Sequence, residues 1–430
     1  MIGSSLRHTA AVALTRGQLE PVAAEVEAAL RGGQPTPAKR IAIMKHALEQ
    51  VPFYRRLGEV AFIDLPVVDK ALIRASQDDF LAAGFDRSKL AATHTSGSTG
   101  IPFTTYQDGA KVLRHRGSLV ANYRFVGADP WGPFLHTKQW GTLTSRQRWV
   151  MQLTKNHFAY AGVHQDPRPP AAIAGWLKRH PGAVAMGYSS YLEGLFRAWD
   201  ESGLSIPPGT VRAVVGISEP ASPFLTILTK RLFGVSPRMR YSNMEMGLIA
   251  FSGEDMSVYH IDTSSFHVEI LEVDSNRPAD PGQSGRIIVT DLTNRAMPLL
   301  RYDTGDLGRF VVSNDGVLDR SRLTDIQGRR LDVIHAGDAE HPRRLHALQI
   351  WGLTTRISEI RQFQLRQHSL GHFTWILNAP ASAELEGRLR AILEAVVGPT
   401  EQCDFTYVDE VPVLASGKRQ FFVNEIEESP

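Results

Sequence analysis

The chain has 430 residues, 43% hydrophobic and 21% charged, with 47 Lys plus Arg against 45 Asp plus Glu for a formal charge of +2. That length has room for about two to four domains with substantial cores, and the near-neutral balance argues against a nucleic-acid binder or a protein built for acidic partners. Cys403 is the single cysteine, which excludes an intrachain disulfide and a cysteine-based zinc site. No apolar run approaches membrane-spanning length, and Arg7, His8 and Arg16 interrupt any N-terminal leader, so no membrane partner and a cytoplasmic location are expected.

Leu19, Val22, Val26 and Leu30 fall at helical spacing and Gly32-Gly33 end the run, which predicts a helix over residues 18–31. A second helix is expected from about Pro37 to Gln50, stopping before Pro52. Leu65–Lys70 reads as a turn into a further helix with Asp69 as N-cap. Thr104-Thr105-Tyr106 reads as a strand. Ala183–Met186 precedes a helical pattern over 190–200, and Val211–Gly216 precedes another over 222–233. This rhythm predicts an α/β protein with helix-covered sheets. Strands then follow at Phe266–Val273, Gly285–Thr290 and Leu307–Val312. A smaller α+β unit is expected after a boundary near Arg329–Asp332: a hairpin at Arg361–Gln367 and His372–Leu377, a helix at Ala383–Val396 and a strand at Asp404–Val408.

Residues 95–102 read Thr-Ser-Gly-Ser-Thr-Gly-Ile-Pro. Such a loop offers closely spaced N–H groups and hydroxyls to an anion, with glycines where the backbone must bend. It lacks the Lys-Ser/Thr that follows the last glycine of the common nucleotide loop, and alone it reads equally as a Ser/Gly turn between strands. Four more segments bear on the choice: Gly216-Ile-Ser-Glu-Pro220, Tyr241-Ser-Asn-Met-Glu245, Arg301-Tyr-Asp-Thr-Gly-Asp306 with Gly328-Arg-Arg-Leu-Asp332, and Ser416-Gly-Lys418. In this order and spacing the chain resembles the adenylate-forming enzymes (acyl-CoA synthetases, luciferases and peptide-synthetase adenylation domains). Within them it is most similar to the phenylacetate-CoA ligase-like branch, over roughly residues 40–425.

The resemblance implies a large adenylation domain at 1–328 and a small mobile domain at 329–430 that turns about a hinge at Arg330, Leu331 and Asp332. It implies ATP and Mg²⁺ as cofactors, coenzyme A as co-substrate, and a carboxylic acid attacking the α-phosphate. Two anions must meet there, so the site needs cations and donors aimed at the developing charge. Thr95, Ser96, Gly97, Ser98, Thr99 and Gly100 would cradle the β- and γ-phosphates. Glu245 would help hold Mg²⁺, Tyr241, with Ser242 beside it, would stack on adenine, and Ser218, Glu219 and Pro220 would run along the adenine edge. Asp306 would accept both ribose hydroxyls, and Arg329 would contact the ribose or phosphate side. Lys418, a compact cation on a flexible stem, would bridge the attacking carboxylate and the α-phosphate. Outside the motifs each residue has a plainer reading: a core tyrosine, a turn aspartate, a solvated carboxylate, an exposed tail lysine.

The acid pocket is expected between residues 131–142, 186–192, 216–220 and 241–245, lined by His136, Trp140 and Tyr188. Those aromatics favour an aryl acid. His260, His267, His341 and His346 lack ligand spacing with a carboxylate, and Arg329, Arg330, Arg343 and Arg344 form a solvated face or a contact for coenzyme A phosphates. Three positions depart from the family pattern: Met244 replaces a Thr/Ser, Asp303 stands where Arg is common, and Leu331 replaces the hinge acid. An amine or a carrier-protein thiol is the alternative acceptor, a non-catalytic nucleotide-binding scaffold is the third reading, and a homodimer stays open.

Overall fold

The structure is a computed structural model. It describes residues 4–15, 17–34, 37–95, 103–138, 140, 143–161, 166–219, 221–313, 315–327, 333–337, 342–346, 350, 353–354, 357, 359–412 and 421–426. The chain divides into two compact units, Met1–Pro220 with Leu228–Ile326, and Ala221–Ile227 with Gln327–Pro430.

In the first unit the helix Leu19–Leu30 buries Leu19, Ala23, Val26 and Leu30, one stripe at helical spacing. It lies so close to the helix Gly109–Phe125 that a Cβ on Gly117 would collide with Val22. The helix Pro37–Gln50 has the bounds that its flanking prolines predict. Asp69 caps the helix Lys70–Ala75, accepting from the Leu72 N–H at 2.8 Å.

An eleven-stranded sheet runs through this unit among the described residues. One half is parallel: Phe134–Thr137, His157–Tyr160, Ala183–Tyr188, Val211–Ile217 and Arg238–Asn243. In space the second of these strands lies outside the first, and the third, fourth and fifth follow on the other side. Strand order therefore reverses between Phe134–Thr137 and Ala183–Tyr188, and such sheets bind ligands beyond the C-terminal strand ends at that point. Gly187 sits there opposite Thr137, and a Cβ on it would collide with the Thr137 backbone. The antiparallel half continues through Gly247–Ser252, Val258–Ile261, Leu318–Gln327, Tyr302–Val312, Gly285–Asp291 and Phe266–Leu271. Its apolar residues Phe266, Val268, Ile287, Val289, Tyr302 and Leu323 share a core with Ile43, Tyr54 and Phe80.

Tyr302–Val312 begins five residues before the expected Leu307. The Asp-Thr-Gly-Asp segment, readable as a turn, stays in the strand because a register shift opposite Arg286 and Ile288 absorbs the Gly305 kink at φ +79°. A separate hairpin pairs Ala91–Thr95 with Phe103–Gln107, Thr95 opposite Phe103, so residues 96–102 join its two strands.

The second unit holds a four-stranded sheet ordered Gln402–Tyr407, His372–Asn378, Gln362–Ser369, Phe422–Asn424. The helix Ala383–Val397, capped by Ser382, adds Leu385, Leu389 and Leu393 to a core with Leu365, Trp375 and Leu377. Val333–Gly337 and Pro342–His346 form a further hairpin. No helix among the described residues is long and apolar enough to cross a membrane.

Candidate active site

The strand Arg238–Asn243 ends in a tight turn that carries Glu245, and Asn243 Oδ1 fixes that turn by accepting from the Met246 N–H at 2.8 Å. Glu245 is 2% exposed. The Lys70 ammonium pairs with it at 2.7 Å, and the Tyr302 phenol stands beside it. Burial and then the Glu245 carboxylate push that phenol well above its ordinary pKa, so it stays protonated.

Tyr241 donates its hydroxyl to Asp306 Oδ2 at 2.8 Å and lies 3.2 Å from Thr304 Oγ1. Thr304 donates to the Ile287 carbonyl at 2.9 Å. Burial and Asp306 hold the Tyr241 phenol well above its ordinary pKa, so it remains the donor and Asp306 the acceptor. Tyr241 and Asp306 are thus joined directly, and a register shift between Tyr241 and Ser242 bends the strand where Ser242 turns away.

One departure from the family pattern, Asp303, has a structural cause. Asp303 forms an ion pair with Arg286 at 2.9 Å and accepts from the Gly305 N–H at 2.9 Å, so it braces the kinked strand from within. Arg301, 2% exposed, pairs with Glu269 at 3.2 Å and donates to the Leu65 carbonyl at 2.7 Å, which ties the motif to the N-terminal segment. Met244 is 55% exposed, and nothing in the fold requires its side chain.

On the neighbouring parallel strands, Ser218 follows Val211–Ile217 with φ +64°, a left-handed conformation that costs a serine about 1 kcal/mol or more. The strain turns Glu219 back over the helix Ser189–Glu201. Glu219 Oε2 accepts from the Ser190 N–H at 2.9 Å and its carbonyl accepts from Ser189 Oγ at 3.0 Å, a cap supplied from the next strand. Tyr188, half-buried at the end of Ala183–Tyr188, packs edge-on against Tyr191. Burial and then Glu219 raise its phenol pKa.

His136 and Trp140 are in contact: their rings are 5.0 Å apart, and the indole N–H donates to the His136 carbonyl at 3.0 Å. Burial, reinforced by Lys138 and His157, holds the imidazole well below its ordinary pKa and keeps it neutral. The strand register sets His136 opposite Met186 and Thr137 opposite Gly187, so His136, Trp140 and Tyr188 gather at the reversal point of the sheet.

Several expected residues lie outside the described ones: Ser96, Gly97, Ser98, Thr99, Gly100, Pro220, Arg329, Arg330, Leu331, Asp332, His341 and Lys418. Thr95 ends its strand, and its side chain lies outside them, as do those of Arg343, Arg344 and His346. The structure also adds residues that sequence reasoning did not single out for the site: Lys70, Tyr302, Thr304, Arg240 and Lys138. Lys70 belongs to a short N-terminal helix, and nothing local marks it as the partner of Glu245.

No protein-family model matches the chain. The fold matches 2-hydroxyisobutyryl-CoA ligase, solved in the postadenylation state with R3-HIB-AMP, at a TM-score of 0.69 with 16% identity, covering 92% of this chain and 91% of that one. The chain has the adenylate-forming fold. A second structure of this fold, ATP-bound MatB from Rhodopseudomonas palustris, matches at a TM-score of 0.54 with 15% identity over 78% of this chain and 68% of that one. In sequence the chain is 26% identical over 332 residues to the phenylacetate-coenzyme A ligase of Thermus thermophilus, 71% of each chain. The family expected from the motifs is the one these relatives share. In the adenylate-forming fold seen here, Tyr241, Glu245 and Asp306 surround the C-terminal end of one parallel strand, and Tyr188 and His136, with Trp140, belong to the strands two and three places away in the same sheet.

Proposed function

We propose that the chain is an AMP-forming acid–coenzyme A ligase. A carboxylate oxygen of the acid attacks the α-phosphorus of ATP and pyrophosphate leaves. The thiolate of coenzyme A then attacks the acyl carbon and AMP leaves. The observation that carries this reading is the Tyr241–Asp306 pair beside buried Glu245 at the strand ends of an adenylate-forming fold. Tyr241 orients the Asp306 carboxylate so that it can accept from a ribose diol. Thr95–Gly100, which join the strands Ala91–Thr95 and Phe103–Gln107 in the sequence, would hold the leaving pyrophosphate.

Glu245 fits a magnesium ion: it is a hard oxygen donor at a place where the fold already stabilises positive charge through Lys70. Lys70 is 44% exposed in its side chain and has room to withdraw. When bound, the ion would neutralise phosphate charge and assist pyrophosphate departure. Lys418 would supply the cation between the two anions during adenylation, in a domain at 329–430 turning about 330–332. The acid would lie against His136, Trp140 and Tyr188, whose flat faces suit an aryl group. Since both co-substrates are cytoplasmic metabolites, the reaction belongs in the cytoplasm.

The test is acid-dependent ATP–pyrophosphate exchange across a panel of carboxylic acids, followed by mass analysis of products formed with coenzyme A or with amines. Exchange with at least one acid and an acyl-coenzyme A product are expected. Lys418→Ala should slow exchange by about 10²–10³-fold. No exchange with any acid, or the same rate in Lys418→Ala, overturns the reading.

A further inference from the structure

The acid side of the site carries positive charge that the chain itself does not neutralise. Arg240 precedes Tyr241, and successive strand residues face opposite ways, so its guanidinium lies on the other side of the sheet from Asp306. It extends across the strand Val211–Ile217 until Nη1 is 3.5 Å from Met186 Sδ. Met186 is the register partner of His136. The guanidinium also borders a small void of about 10 Å³ that Leu119, Tyr123 and Phe251 help to enclose.

No carboxylate pairs with Arg240 or Lys138 among the described residues, and the residues of 1–326 whose side chains are not described include no Asp or Glu. Among the described residues the Lys138 ammonium has the Trp140 ring, 4.3 Å from its Nζ. Arg240 Nε and His136 Nε2 are both buried without a partner among the described residues. Burial lowers the pKa of Arg240, Lys138 and His136, and Arg240 further lowers those of the other two. Elsewhere in the unit three buried cations have carboxylates, Lys111 with Asp291, Arg286 with Asp303 and Arg301 with Glu269, while buried Arg7 donates to the Trp131 and Leu153 carbonyls. An unmatched, desolvated cation pair is costly unless something else supplies the counter-charge.

We propose that Arg240 and Lys138 form an anion subsite on the acid side of the site, and that the acid bears a second anionic group (carboxylate, sulfonate or phosphate) beside the carboxylate that is adenylated. This rests on the ligase reading given above. The nucleotide phosphates are not the counter-charge, since Asp306 and Glu245 mark the nucleotide side and Arg240 faces away from it. Nor is it the reacting carboxylate, which must meet the α-phosphate near Glu245. The substrate is therefore a dianion read at both ends, one end held by the Arg240–Lys138 pair and the other presented to ATP.

The experiment uses matched acids in the exchange assay with the full chain: phenylacetate against 4-carboxyphenylacetate and 4-sulfophenylacetate, and butyrate against glutarate. Wild type should favour at least one dianion over its monoanionic mate by about tenfold or more in kcat/KM, and Arg240→Met should reduce that ratio by about 10–100-fold. Arg240→Lys should keep most of it, and Lys138→Met, at a half-buried position that the core does not need, should reduce it in the same direction. Equal or better use of every monoanion by wild type, or an unchanged ratio in Arg240→Met and Lys138→Met, overturns the subsite while leaving the ligase reading intact. Calorimetric titration with 4-sulfophenylacetate and glutarate in the absence of ATP separates the two claims. Binding that depends on Arg240, with no exchange from any acid, supports the subsite and sinks the ligase.

Discussion

The two faces of the strand Arg238–Asn243 treat charge in opposite ways. On the Tyr241 face the described groups answer one another: Tyr241 with Asp306, Lys70 with Glu245, Arg286 with Asp303. On the Arg240 face Arg240 and Lys138 have no carboxylate partner among the described residues, and a neutral histidine lies beside them. Charges that the chain pairs for itself hold its fold and, in the proposed ligase, would pre-orient the nucleotide side. Charges left unpaired raise the cost of the empty protein and lower that of the complex, which is how a binding site differs from a brace.

The comparison breaks most plainly at a paired site. Lys111 and Asp291 are each 2% exposed and lie 2.6 Å apart. Asp291→Ala would strand a buried ammonium, and unfolding followed by fluorescence in urea should show a loss of about 3–5 kcal/mol. A loss no larger than that of a surface substitution would mean the pairing is not what stabilises this half.

Next in size is Tyr241→Phe. The change removes one hydrogen bond to a carboxylate, worth about 1–1.5 kcal/mol, and should raise the KM for ATP about 5–10-fold with little change in kcat. A fall in kcat alone would place Tyr241 in the chemistry and not in orienting Asp306.

Arg240→Met sharpens the contrast from the other side. Removing an unmatched cation should leave the ligand-free protein as stable or raise its stability by about 1 kcal/mol, read as an unchanged or higher melting midpoint. A drop of several degrees would show that the guanidinium has a structural partner.

The smallest effect is a pH dependence. Burial, then Arg40, lowers His267 from the usual 6.5 to about 4, and Arg40 Nη1 donates to its Nε2 at 3.0 Å. Between those values the unfolded chain takes a proton that the folded chain refuses, so stability is intact above pH 6.5 and declines toward pH 4. His267→Gln should flatten that decline by about 1 kcal/mol at pH 6, seen as a shallower fall of melting midpoint with acid. His115, His136 and His260, also lowered, keep the rest of the slope.

The sequence by itself determined the elements whose signals are local. Helix bounds at Pro37–Gln50, the Asp69 cap and the Gln362–Asn378 hairpin follow from periodicity, capping chemistry and a glycine turn, each complete within a few residues. The motif order also made the adenylate-forming fold legible, and brought Tyr241, Glu245 and Asp306 to notice before any geometry. Tertiary structure alone decided the electrostatics. That Asp303 answers Arg286, that Lys70 sits on Glu245, and that Arg240 meets no carboxylate depend on strands far apart in the chain being set side by side. A charge's effect is fixed by its neighbours in space and by how much water they exclude, and no local pattern encodes either.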